Sequence, residues 1–254
     1  GVNWTQSNIT SGHFGNRNNK SDEIGYGKIV YSPLYKKFFA RADSGEKGYL
    51  YISDDGKTWT TLLSSNGATR FWSDLQVSGN GYVYCSGANT NVRTGYVFYY
   101  DENNNVMQNI GIDQDRYYYI LKDKVSNICY LYDSKGLSVH KFLNSNYEFI
   151  CNKMPLDMLY TIGCYLADGI LMVRDVDYDD SDDTTNYTIR SYNIIEKKEL
   201  PSLPFGTNAC NGFYENGLHI VTSQQKTWYA QTPINDLSTA SYVNNYFDDI
   251  TSYK

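Results

Sequence analysis

Gly27-Lys28-Ile29-Val30-Tyr31-Ser32, Lys37-Phe38-Phe39-Ala40-Arg41-Ala42, Gly48-Tyr49-Leu50-Tyr51-Ile52-Ser53 and Thr58-Trp59-Thr60-Thr61-Leu62 follow one another with only short polar breaks. Each run is rich in aromatic and β-branched residues, the types that fit a pleated, half-buried surface. The break before the last run is Asp54-Asp55-Gly56, a tight-turn sequence. Asp bonds to its own backbone there, and Gly accepts positive φ. The stretch predicts four strands joined as an up-and-down meander.

The same grammar recurs along the chain. It predicts strands at Ser73–Val77, Gly81–Ser86, Gly95–Tyr100 and Val106–Ile110, then at Arg116–Lys122, Asn127–Asp133, Leu137–Phe142 and Tyr147–Cys151. It continues with Leu159–Leu166, Ile170–Val176, Tyr187–Ile194 and Lys197–Leu200, and with Gly212–Glu215, Leu218–Ser223 and Thr227–Gln231. Repeated meanders of about 45 residues are the signature of a β-propeller, in which sheets stack radially because no single sheet can bury both its faces. A β-sandwich is the alternative architecture, but it does not explain the even spacing. The expected fold is therefore all-β, a single propeller domain over 1–254 with four-stranded antiparallel blades near 25–62, 72–110, 116–151, 158–201 and 209–232. Five blades fit the length, or six if the tail 233–254 adds strands. A strand at 3–8 is expected to close the ring by completing the last blade, which removes exposed sheet edges.

Composition narrows the partners. The chain has a net charge of -6 and no basic tract, so nucleic acid and anionic membrane are excluded as expected partners. No apolar run reaches the length of a membrane-spanning helix, and membrane insertion is not expected. The five cysteines are odd in number and form no C-x-x-C pair, so they read as small buried apolar side chains. Tyr outnumbers Phe and Trp, at 26 against 10 and 4. Such a surface offers flat, rigid contact area with polar tips, which suits recognition of a saccharide or protein.

Ser53-Asp54-Asp55-Gly56-Lys57-Thr58-Trp59-Thr60 resembles a shortened Asp-box, the turn of sialidase-like propellers, and is similar to the repeat of bacteriophage-tail and other surface-associated propellers. Gly1-Val2-Asn3-Trp4-Thr5 looks like the second half of another copy, and Ser223-Gln224-Gln225-Lys226-Thr227-Trp228 like a worn one. The resemblance implies that Ser53, Asp55, Gly56 and Trp59 shape a blade rim and do not hold a ligand. It implies a virion tail or an extracellular or cell-surface location. The implied partners are a cell-surface saccharide or protein and other tail or baseplate subunits.

An active sialidase-like enzyme would need three Arg for the substrate carboxylate, a Tyr nucleophile with a Glu partner, and an acidic proton donor. None of the seven Arg lies in that family's R-I-P context. Arg41, Arg93 and Arg174 fall at comparable places in successive units and are candidates for anion binding in a central channel, with structural Arg as the alternative. Trp72, Tyr96 and Tyr118 are the aromatic candidates for ligand contact. No nucleophile-elbow, zinc-protease or phosphate-loop motif occurs. The chain is thus expected to be no enzyme. A glycoside hydrolase and a purely structural tail module are the alternatives.

No cofactor is expected, with one open question. Asp175, Asp177 and Asp179 begin like a calcium loop, but Asp180 stands where such a loop needs Gly and Asn186 where it needs Glu. A solvated hairpin tip and a Ca²⁺ site are both readings of that run. His219, in the strand-like run Leu218–Val221, is expected to point to the outer face.

Overall fold

The computed structural model describes residues 28–44, 47–64, 69–70, 75–89, 94–110, 118–133, 139–143, 146–151, 165–179, 184–201, 211–222, 226–231 and 240–244. Among them there is no helix, and every strand pairing is antiparallel. Sheet 1 holds β1 (Lys28–Ser32), β2 (Lys37–Ser44), β3 (Lys47–Ser53) and β4 (Thr60–Ser64) in that order. Sheet 2 holds β5 (Thr69–Arg70), β6 (Gln76–Val77), β7 (Val83–Asn89), β8 (Thr94–Asp101) and β9 (Val106–Asn109). Sheet 3 holds β10 (Tyr118–Lys122), β11 (Cys129–Asp133), β12 (Val139–Leu143) and β13 (Asn146–Cys151). Sheet 4 holds β14 (Tyr165–Ala167), β15 (Ile170–Asp179), β16 (Thr184–Asn193) and β17 (Lys198–Leu200). Sheet 5 holds β18 (Asn211–Glu215), β19 (Leu218–Thr222), β20 (Lys226–Gln231) and β21 (Ser241–Asn244).

The five meanders follow the sequence pattern, with two departures. In sheet 2 the first-strand position is split: β5 pairs one end of β7 and β6 the other. In sheet 5 the place beside β20 is taken by β21, from the chain's own tail. The segment 3–8 lies outside the described residues. Trp228 pairs with Tyr242 and Thr227 with Val243, so the local tail supplies the ladder on the edge of β20.

The chain forms two compact units. Unit 1 is Gly1–Lys122 with Asn127–Phe149, and unit 2 is Asp123–Ser126 with Ile150–Lys254. In unit 1, Phe39, Leu50 and Ile52 of sheet 1 pack with Leu75, Val83, Cys85, Tyr100 and Met107. A second layer joins Tyr84 and Val97 to Ile120, Cys129, Leu131 and Phe142, with the Tyr84 and Phe142 rings stacked 4.1 Å apart. In unit 2, Ala167, Ile170, Met172 and Leu200 meet Val221 and Trp228. Each fully buried side chain of this size contributes about 1.5–3 kcal/mol relative to exposure. Cys85 and Cys129 are both buried and free, and burial pushes the Cys129 thiol up to about 12.

Two of the turns between first and second strands share a feature. At these, Ser32 after β1 and Asp123 after β10, a polar side chain fastens a turn of the next sheet. Ser32 Oγ donates to the Gly81 carbonyl, and the Gly79 N–H donates to the Asn127 carbonyl, both inside unit 1. In unit 2 the Asp123 carboxylate accepts from the N–H groups of Val125 and Ser126, each at 2.8 Å, and of Gly169 at 2.8 Å and Asp168 at 3.3 Å. Ser32 and Asp123 are buried. Buried polar groups so satisfied hold neighbouring turns in register.

Candidate functional site

The β3–β4 turn is closed by its own side chains. Ser53 Oγ accepts from the Gly56 N–H at 2.9 Å, and Asp55 Oδ1 accepts from Lys57 and Thr58 N–H at 2.8 and 2.7 Å. Gly56 has φ 72°, and Trp59 Nε1 donates to its carbonyl at 3.0 Å. Trp59 is buried with Ala40 and Tyr51. Bonds from the Thr58 and Lys57 backbone hold the Asp55 carboxyl down at about 2. The carboxylate form is therefore the one that stabilises the fold. That contribution is complete above the ordinary carboxylate range and is lost as pH falls from about 4 towards 2. Asp55→Ala is expected to lower the melting temperature at pH 7 and to have little effect at pH 2. An equal loss at both pH values, measured by calorimetry, would separate the carboxylate from the effect.

This turn borders an exposed aromatic face. Gly56 lies over Phe38: a Cβ there would stand 3.7 Å from the ring. Phe38 is the register partner of Tyr31, and the two rings meet at 4.9 Å, tilted by 52°. Strand alternation sets Ile29 and Tyr31 on one face of β1 while Val30 joins the core on the other. Tyr31 is 48% exposed and Ile29 56%. Farther across the sheet, Tyr49 and Tyr51 stack at 5.9 Å. Tyr51 is buried with Trp59, so what is left exposed is a small aromatic shelf of Tyr31 and Phe38 beside a rigid turn. Chemically it offers ring faces to the C–H surface of a sugar or to an apolar side chain, and a phenol for hydrogen bonding.

The residues singled out in the sequence are distributed differently. Arg41 is 5% exposed, with Lys28 and Leu50 as cross-strand neighbours. Arg174 occupies the same place in its strand, the fifth residue of β15 as Arg41 is of β2. Arg93 and Trp72 lie outside the described residues. Tyr96 is half-buried in β8, opposite Gly87, and stacks on Phe98 at 6.0 Å. Tyr118 opens β10 opposite Asp133. Arg41 lies in sheet 1 and Tyr96 in sheet 2.

The acidic run corrects the hairpin-tip reading. Asp175, Asp177 and Asp179 lie within β15, paired with Thr188, Asn186 and Thr184. An extended, fully paired strand cannot curl round an ion as a calcium loop does. Residues 180–183 lie outside the described residues. His219 is a second correction: it is 1% exposed, packed against Tyr214 at 5.0 Å, and does not face outwards. The run Leu218–Val221 is apolar on both faces, so alternation alone could not choose between them. The shelf residues Ile29, Tyr31 and Phe38 were not singled out. Their only sequence signal is apolar residues on both faces of β1.

No family model matches the chain, and no curated protein matches it. Solved structures do. A complex of KlAtg21 with the coiled-coil of AgAtg16 matches at TM-score 0.55 and 10% identity, over 89% of this chain and 72% of that one. Prolyl oligopeptidase B from Galerina marginata matches at TM-score 0.55 and 11% identity, over 90% of this chain and 36% of that one. TolB from Acinetobacter baumannii matches at TM-score 0.44 and 10% identity, over 87% of this chain. The chain spans 55% of that TolB, about half its length. At such identities the likeness is one of fold alone, and the fold is propeller-like and all-β.

Proposed function

We propose that the chain is a non-catalytic binding module, a five-bladed propeller whose sheet 1 shelf recognises a cell-surface saccharide or protein. The observation that carries this reading is Tyr31: a large aromatic left about half exposed and packed on Phe38, which in turn lies against the Gly56 turn. Holding an aromatic ring rigid before contact lowers the entropy cost of binding. The resemblance at Ser53–Thr60 supports a virion-tail or cell-surface setting, and tail or baseplate subunits as further partners.

A glycan array, followed by intact bacterial cells, tests the reading. Saturable binding is expected, and Tyr31→Ala is expected to weaken it about tenfold, the loss of one aromatic contact of about 1.4 kcal/mol. The melting temperature should hardly change. Binding that ignores the substitution would move the site off the shelf. No binding by the folded chain would favour an assembly role, and turnover of a chromogenic glycoside would favour a hydrolase.

A further inference from the structure

We propose, resting on the shelf of sheet 1 as the binding surface, that its partner is a protein, which docks there through an extended segment of alternating apolar and acidic residues. Seven large apolar side chains are left exposed among the described residues, and three of them, Ile29, Tyr31 and Leu34, stand within six residues. Leu34 is 47% exposed, close to the values of Ile29 and Tyr31. Exposed apolar residues scattered singly are ordinary, whereas a cluster of them marks a contact surface.

This cluster suits a peptide better than a sugar. A saccharide site needs polar side chains that converge on hydroxyl groups beside the aromatic face. Here the polar side chains of the adjoining turn are already engaged. Asp55 Oδ1 accepts from the Lys57 and Thr58 N–H groups and from the Ser53 hydroxyl, and its Oδ2 from the Thr58 hydroxyl. Ser53 Oγ accepts from the Asp55 and Gly56 N–H groups. Asp54 is ion-paired with Lys37. Ile29 and Leu34 add aliphatic surface, which offers nothing to a hydroxyl. Ile29 and Tyr31 lie two residues apart on one strand, a spacing of about 7 Å. Alternate side chains of an extended segment repeat at the same distance, so successive apolar residues of a partner match Ile29 and Tyr31 in turn.

Charge selects what stands between those apolar residues. The chain has a net charge of -6, yet residues 28–64 hold six Lys and Arg against four Asp and Glu. Lys36 and Lys57 are exposed and border Phe38 along two routes. Lys36 ends the β1–β2 turn two residues before Phe38, and Lys57 follows Gly56, which lies over the ring. The carboxylates of the same turn are held by Lys37 and by the turn's own N–H groups. The charge of Glu102 reaches Lys37, which alternates to the other face of β2 from Phe38. An incoming segment therefore meets cations at the rim of an apolar centre, and acidic residues beside apolar ones complement that arrangement.

A display library of random peptides, panned on the full chain and on the Tyr31→Ala chain, tests the proposal. Peptides enriched on the native chain alone should alternate apolar residues with Asp and Glu. A synthetic peptide of the enriched sequence should bind about tenfold more weakly to Tyr31→Ala. Lys36→Gln and Lys57→Gln together should weaken it about three- to tenfold, and added salt should do the same. Both Lys side chains are exposed, so the melting temperature of the double variant should hold. Enrichment of basic or uncharged peptides would overturn the proposal, and so would an affinity indifferent to the two Lys. If no peptide is enriched while a saccharide binds in a Tyr31-dependent way, the shelf stands and the protein partner falls. If neither peptide nor saccharide binding depends on Tyr31, the shelf itself is not the binding surface and both readings fall.

Discussion

Asp123→Ala is expected to destabilise unit 2 by about 3–4 kcal/mol, because four backbone N–H groups lose one charged acceptor. The Gly169 N–H is the most costly of them, being buried. The Val125, Ser126 and Asp168 donors are part-buried, and relaxation can recover some of their bonds. Asp123→Asn keeps the shape and one acceptor oxygen but loses the charge, and should cost about 1–2 kcal/mol. Denaturant titration followed by hydrogen exchange in β14–β16 and in β7–β8 would resolve the two units. A loss below about 1 kcal/mol for the alanine variant, on the same hydrogen-bond scale, would mean that water replaces the carboxylate and that the turn needs no clamp.

Gly81→Ala should cost unit 1 about 3 kcal/mol or more, from backbone strain added to a clash that cannot relax cheaply. Gly81 has φ 90°, a conformation that side chains disfavour. A Cβ there would stand 2.5 Å from Leu34 Cβ and 2.9 Å from the Leu34 backbone nitrogen. The contact is with backbone, so no side chain can swing away. Relief would pull Gly81 from Ser32, whose hydroxyl bonds its carbonyl. Gly217→Ala is the internal control. Its φ of 83° is similar, but nothing lies within 4 Å of the added carbon, so about 1 kcal/mol is expected from strain alone. Equal losses for the two variants, by denaturant unfolding, would remove the close turn-to-turn approach from the account.

The meander pattern was legible because strand period and turn chemistry are local. Tyr49, Tyr51 and Ser53 alternate with Leu50 and Ile52, and Gly56 follows at the place where positive φ is needed. The Asp-rich strand was legible only as far as Val176. Asp175-Val176-Asp177-Tyr178-Asp179 has the period of a strand and the composition of a loop. Ten cross-strand pairs with β16 settle it as strand, despite the low strand preference of Asp. The strand Ser241–Asn244 of sheet 5 was missed for a related reason. Ser241–Asn244 is a weak strand sequence, and its pairing with β20 across an intervening loop is what makes it one.

From the sequence alone came the all-β class, the five meanders and the Ser53–Trp59 turn, since each depends on residues within one hairpin. Tertiary structure alone decided which faces are sealed and which are left open. Ser32 meets Gly81 across 49 residues and Asp123 meets Gly169 across 46. His219 is buried and Tyr31 half exposed, although each lies in a strand with apolar residues on both faces. Alternation divides a strand into two faces, but only the packing of distant sheets chooses the one that loses water.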